Sequence, residues 1–188
     1  MNSIKRLCGV GLWNTPPIVF CFAQTADKQV VGTDAETTLL ASGVGSVNIA
    51  ANTLLAGTTY RVRLMGYYDG ASTQTLKLTL YLGATPVYVS AAVQPYPGSG
   101  GTSGPWWAEF TFTCRTVGGF GTVMAQLASV IWRSSTAAPV QFETKTTAPV
   151  TVSTIVDQAI DVTATYAGTG NAGNKFTCTN LTVERIST

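Results

Sequence analysis

A chain of 188 residues with a formal net charge of +2 and only 11% charged side chains has the length of one domain and can bury a sizeable core. Lys5, Arg6 and Lys28 against Asp27 place the positive excess in residues 1–28, while residues 29–188 balance eight basic against eight acidic groups; a neutral body excludes extensive phosphate binding. The absence of histidine removes the commonest general base and metal ligand, and no run of eighteen apolar residues is present to span a membrane as a helix.

The opening MNSIKRLCGVGLWNTPPIVFCFAQTADKQ has the outline of a secretory signal, since Lys5 and Arg6 precede an apolar stretch. A signal needs an apolar core of about 7–15 residues. Here Pro16-Pro17 interrupt the stretch and leave six residues, 18–23, beyond them. The expected form is an extended arm over residues 1–30 that docks on another chain. Trp13, Ile18, Phe20 and Phe22 would be its apolar anchors, and Lys5 and Arg6 would meet an acidic surface. The alternative is an arm folded back over its own domain.

From residue 31 onward the repeating signal has period 2. Strands are expected at 36–41 and 46–49, flanking a Gly43-Val44-Gly45 turn. At 60–68, Tyr60, Val62 and Leu64 oppose Arg61, Arg63 and Met65. The clearest strand is Leu76-Lys77-Leu78-Thr79-Leu80-Tyr81-Leu82, four leucines on one face. Further strands follow at 87–93 and at 106–116, with Trp106, Ala108, Phe110, Phe112 and Cys114 facing inward. Segment 121–132 alternates more loosely, and a short helix is expected within 147–157. The stretch 158–166 alternates Ile160, Val162, Ala164 and Tyr166 against Asp161, Thr163 and Thr165. The last strand, 175–186, carries an irregularity near Asn180 that moves the inward face from Phe176 and Cys178 to Leu181 and Val183. Asp69-Gly70, Gly118-Gly119 and the Gly-rich segments 98–101 and 168–173 punctuate these runs, and 95–105 is the longest loop.

Thirty threonines and a recurrent two-residue period make this an all-β protein. Eight to ten short antiparallel strands imply two packed sheets or a closed barrel; the expected architecture is an antiparallel jelly-roll β-sandwich over 31–188. Thr79, Thr111, Thr113, Thr163, Thr165, Thr177 and Thr179 are placed on its outer faces, a low-charge surface of the kind that sister subunits cover.

No catalytic signature is present. The nine carboxylates are scattered, and no nucleophile elbow or P-loop appears, so neither an enzyme nor a cofactor is expected. Cys8, Cys21, Cys114 and Cys178 lack metal-ligand spacing. Cys114 and Cys178 read as buried small hydrophobes, with a Cys114–Cys178 bond and a Cys8–Cys21 clip as open alternatives. Trp106-Trp107 beside the Gly-rich loop admits two accounts. One ring packs inward and the other stands at a subunit contact, or the exposed Trp107, with Tyr96, forms a flat sugar-binding platform.

The stretches Thr37-Thr38-Leu39-Leu40, Gly45 to Leu54 and Gly57 to Val62, with Asp157 to Ala164 and Asn174 to Leu181 near the end, resemble jelly-roll proteins of tailed bacteriophages over roughly residues 33–186. Members are capsid decoration (cement) proteins or head-fibre and tail-knob domains. The resemblance implies a virion protein on the capsid exterior, a homotrimer, and the major capsid protein as partner. The neutral body and the lack of an eighteen-residue apolar run leave neither nucleic acid nor membrane as an expected partner, and the resemblance does not reach the arm. A receptor- or glycan-binding knob of a fibre is the alternative.

Overall fold

The long alternating segments form the long strands, because each has an apolar row to bury and a polar row to leave outside. The computed structural model describes residues 19–70, 74–95, 102–131, 140–146, 148–167 and 172–187. Among them are fourteen strands and no helix. In chain order they are β1 (Val19–Gln24), β2 (Lys28–Val31), β3 (Thr37–Thr38), β4 (Gly43–Gly45), β5 (Asn48–Ile49), β6 (Thr59–Gly70) and β7 (Leu76–Leu82). They continue with β8 (Thr85–Val89), β9 (Thr102–Thr116), β10 (Thr122–Ile131), β11 (Val140–Thr146), β12 (Val150–Thr151), β13 (Gln158–Tyr166) and β14 (Lys175–Ser187).

These strands make an all-β sandwich of two antiparallel sheets. The larger runs β11-β10-β9-β6-β14-β1-β4, with β12 also on β10 and β2 also on β14; the smaller runs β3-β13-β7-β8, with β5 also on β13. Between the sheets, Val62, Leu64, Phe110, Phe112, Val123 and Leu127 of the larger one meet Leu76, Leu78, Leu80, Ile160 and Val162 of the smaller, all essentially excluded from solvent. Tyr88 of β8 meets Phe110 of β9 edge-on at 5.8 Å, an aromatic contact that joins the two layers.

At one end of the core Trp106 stacks on Phe176, ring centres 4.1 Å apart and planes 18° from parallel. Its Nε1–H donates to the Thr177 carbonyl at 3.2 Å. The expected irregularity in the last strand is present: the β14–β6 register shifts between Cys178 and Asn180, and Leu181 and Val183 take over the buried row. Opposite this bulge sits Gly66, where a Cβ would run into the Thr177 carbonyl; the sheet closes here only on a glycine.

Four expectations are corrected. Among the described residues, Val19–Val31 already belongs to the sandwich and not to a separate arm, because β1 pairs with β14 and β4, and β2 pairs with β14. Gly43-Val44-Gly45 is not a turn but the edge strand β4, paired along β1. No helix forms in the described part of 147–157: Val150–Thr151 pairs with β10, and bends follow. The reading of Cys114 and Cys178 as buried small hydrophobes is the one observed, since both are buried and free, and Cys21 is free as well; Cys8 lies outside the described residues.

The fourth correction concerns the threonine faces, since Thr79, Thr163 and Thr177 are buried. Thr79 and Thr163 face each other across β7 and β13, and Thr163 is capped by Glu36, its Oγ1–H donating to Oε1 at 2.5 Å. Thr177 lies beneath Gln29, whose Nε2 donates to its Oγ1 at 3.1 Å. Side chains from the connecting segment and the added strand cover these positions, which alternation alone cannot register.

Candidate functional site

Of the expected arm residues, Lys5, Arg6, Trp13 and Ile18 lie outside the described residues, as does Tyr96. Phe20 and Phe22 are separated by a bulge. Strict alternation would put both on one face, but the β1–β14 register shifts between them. Phe22 therefore turns into the domain's own core, 6% exposed, while Phe20 points outward, 54% exposed. The docking role assigned to Phe22 is corrected accordingly: its partner is its own sandwich. Phe20 stands opposite Glu184, on the face where the Glu184 carboxylate takes the Arg61 guanidinium at 2.5 Å.

That outer face of the larger sheet has a charged centre and an apolar end. In the centre, Arg61–Glu184 and Arg63–Glu109 are cross-strand ion pairs on β14, β6 and β9. The hydrogen bond that Arg63 Nε donates to Glu109 is the main reason its guanidinium holds its proton more firmly than usual. Further along, Trp107 lies opposite Met65, and Tyr67 opposite Pro105. Trp107, Met65 and Tyr67 are all 40–50% exposed, beside an open cleft of about 470 Å³ lined by Tyr67, Asp69, Ser103, Gly104 and Pro105. The Trp doublet divides as alternation requires, with Trp106 inside and Trp107 on this strip.

The smaller sheet carries a polar cluster on its outer face. Glu36 accepts from Thr163 and from the Tyr81 hydroxyl at 2.9 Å, and Asp161 accepts from Thr38 at 2.5 Å. The Thr163 hydrogen bond holds the Glu36 carboxyl below its usual range, against a smaller opposing effect of burial. Burial, then the bond to Glu36, pushes the Tyr81 hydroxyl up. An ionised carboxylate held by hydroxyl donors suits a fixed acceptor, whereas a general acid at neutral pH requires a raised pKa. Among the described residues no group of three or more His, Cys, Asp or Glu side chains is placed to hold a metal ion. No described helix is long and apolar enough to cross a membrane.

A third surface escaped the sequence reading. At one end of the sandwich, Leu55, Val117, Phe120, Ile155 and Val156 are all more than half exposed, Phe120 at 90%. They sit on three connections tied by backbone hydrogen bonds. The Thr154 N–H donates to the Gly118 carbonyl, the Asn52 N–H to the Thr154 carbonyl and the Val152 N–H to the Gly121 carbonyl; the Gly118 N–H donates to Thr154 Oγ1 at 2.8 Å. Asn52, Gly57 and Gly118, with φ of 62°, 88° and 111°, are three of the five residues with left-handed backbone among those described. Between these connections lies a mainly apolar cleft of about 210 Å³, lined by Leu54, Leu55, Val117, Thr154 and Ile155 among others. The missed signal was Val117-Gly118-Gly119-Phe120, a hairpin turn flanked by large apolar residues where polar ones are usual.

Compared with protein-family models, curated proteins and solved structures, the chain has no significant match.

Proposed function

We propose that this chain is a structural virion protein: a jelly-roll decoration (cement) protein on the exterior of a tailed-phage head. In this reading it works as a homotrimer and bridges subunits of the major capsid protein. The observation that carries the reading is the strand order. Take β1, the β3/β5 pair, β6, β7, β8, β9, β13 and β14 as eight successive strands. One sheet then runs first-eighth-third-sixth and the other second-seventh-fourth-fifth, with β10, β11 and β12 as an insertion at one edge and the short β4 and β2 added on β1 and β14. That interleaving is what two nested Greek keys produce in a jelly roll, an architecture of viral capsid and lectin domains. Fold alone does not assign function; the exposed apolar side chains at several faces and the engaged carboxylates favour an assembly component over a catalyst.

The mechanism is mechanical. Residues 1–18, with Lys5, Arg6, Trp13 and Ile18, lead into β1 and its exposed Phe20, and are the attachment element. Each apolar anchor contributes about 1.5–3 kcal/mol when fully buried, before the cost of ordering the segment. Spanning a joint between capsid subunits then opposes their separation. The test is cosedimentation of the full chain, and of a chain lacking residues 1–18, with DNA-free shells of the major capsid protein encoded in the same genome. Saturable binding by the full chain and its loss on truncation are expected; equal binding by both overturns the arm's role.

A second reading, a glycan-binding knob, is favoured by the exposed Trp107 and Tyr67 beside their open cleft. Saturable binding of one sugar on a glycan array, abolished by Trp107→Ala, would establish it instead.

A further inference from the structure

The end of the sandwich carries both halves of a self-complementary contact. Phe120 projects from the β9–β10 turn with 90% of its surface free. The adjoining cleft of Leu54, Leu55, Val117 and Ile155 encloses about 210 Å³, and an apolar cavity of about 150 Å³ is enough to take a benzene ring. A projecting ring and a ring-sized apolar recess on one surface are what a contact between identical copies requires.

We propose that this end is a subunit interface, in which Phe120 of one copy seats in the Leu54–Leu55–Val117–Ile155 cleft of a second copy of this chain. The inference does not rest on the virion reading and would hold for any assembly of this chain.

Size and charge support a second copy as the occupant. The five exposed side chains present on the order of 500 Å² when an aromatic is taken at about 150–250 Å². That is near the upper end of the largest apolar patch on a typical monomer, and it supplies most of the roughly 800 Å² per partner of a standard interface. No residue of the cleft or of the exposed set is charged. The neighbouring Asp157 carboxylate keeps its charge but accepts from the Ala51 N–H at 2.8 Å and from Asn48 Nδ2 at 2.9 Å, so its hydrogen bonds are met within its own chain. The connections are held by hydrogen bonds before any partner arrives, which lowers the entropy cost of association.

The test is sedimentation velocity of the full chain at about 1–100 µM, with Phe120→Asp and, as a control on a distant exposed position, Val44→Asp. Phe120 has almost no contacts to lose, so the variant keeps the monomer fold, checked by circular dichroism. The wild type and Val44→Asp are expected at a small multiple of 19.7 kDa. Phe120→Asp should associate at least about 10-fold more weakly, the loss expected for withholding one buried aromatic ring. A second measurement locates the contact: mixing Phe120→Cys with Leu55→Cys chains should give an interchain disulfide under mild oxidation, since only close approach permits one. A monomeric wild type at 100 µM, an unchanged mass for Phe120→Asp, or an oligomer without the mixed disulfide overturns the proposal. So does a monomer that floats with phosphatidylcholine vesicles through Phe120, which would make the occupant a lipid surface.

Discussion

The Trp106-Trp107 doublet offers the sharpest check on how this sequence builds its sandwich, because adjacent identical residues should differ in consequence. Trp106 is 2% exposed, stacks on Phe176 at 4.1 Å and donates its indole N–H to the Thr177 carbonyl. Replacement by alanine removes the largest side chain in the core, and large aromatic-to-alanine changes cost about 3–5 kcal/mol. Replacement by phenylalanine preserves a ring against Phe176 but loses about 1 kcal/mol of hydrogen bond. The volume of the missing second ring adds to that, for about 2–3 kcal/mol in all. Trp107→Ala, on the outer face, should stay within about 1 kcal/mol. Urea unfolding followed by circular dichroism measures all three, and a double-mutant cycle of Trp106→Leu with Phe176→Leu, each of which removes one ring, isolates the ring–ring coupling, expected at about 0.5–1.5 kcal/mol. A Trp106→Ala cost below about 1 kcal/mol, or a larger cost at Trp107, would refute the assignment of faces and with it the β9 register.

Other outcomes follow from the same geometry. Gly66→Ala should destabilise by about 1–3 kcal/mol or more, because its Cβ meets the Thr177 carbonyl and not a flexible side chain; thermal unfolding reads it. Deleting residues 1–28 should unfold the domain, since it removes β1 with its pairing to β14 and β4 and the buried Phe22; a folded product by circular dichroism would contradict this. Glu36 has a folded pKa below its ordinary value of 4.5, so its contribution is present above that value and is lost as pH falls through the folded pKa. Thr163→Val should flatten the acid limb of the stability curve below about pH 4.5, modestly because Glu36 is exposed. Burial raises the Cys114 thiol and pushes Cys178 up to about 12. Both should resist a thiol reagent at pH 8 and react on unfolding.

What could be read from the sequence was the set of strands long enough to show alternation. Leu76–Leu82 and Gln158–Tyr166 have the expected bounds, and the inward rows of β6, β9 and β14 are those expected, including the change of face near Asn180. The short strands were not legible, because two or three residues such as Thr37–Thr38 or Gly43–Gly45 carry no period and exist through their partners. β11 was overlooked although Val140 and Phe142 alternate with Gln141 and Glu143 in the sequence. Phe22 was misassigned because a single-residue bulge reverses the face of a strand, and the bulge is fixed by β14 rather than by local residue type. The apolar end of the sandwich was hidden for a related reason: Leu55, the Val117–Phe120 turn and Ile155 are far apart in sequence and are brought together through the hydrogen bonds of Thr154 and Gly118.

In the proposed function this domain holds a shell together. The most direct measurement is the temperature at which DNA-free shells of the major capsid protein from the same genome come apart, followed by light scattering with and without saturating full-length chain. A rise in that temperature, reversed when residues 1–18 are removed, is the predicted result. Shells that come apart at the same temperature with and without the chain would contradict it.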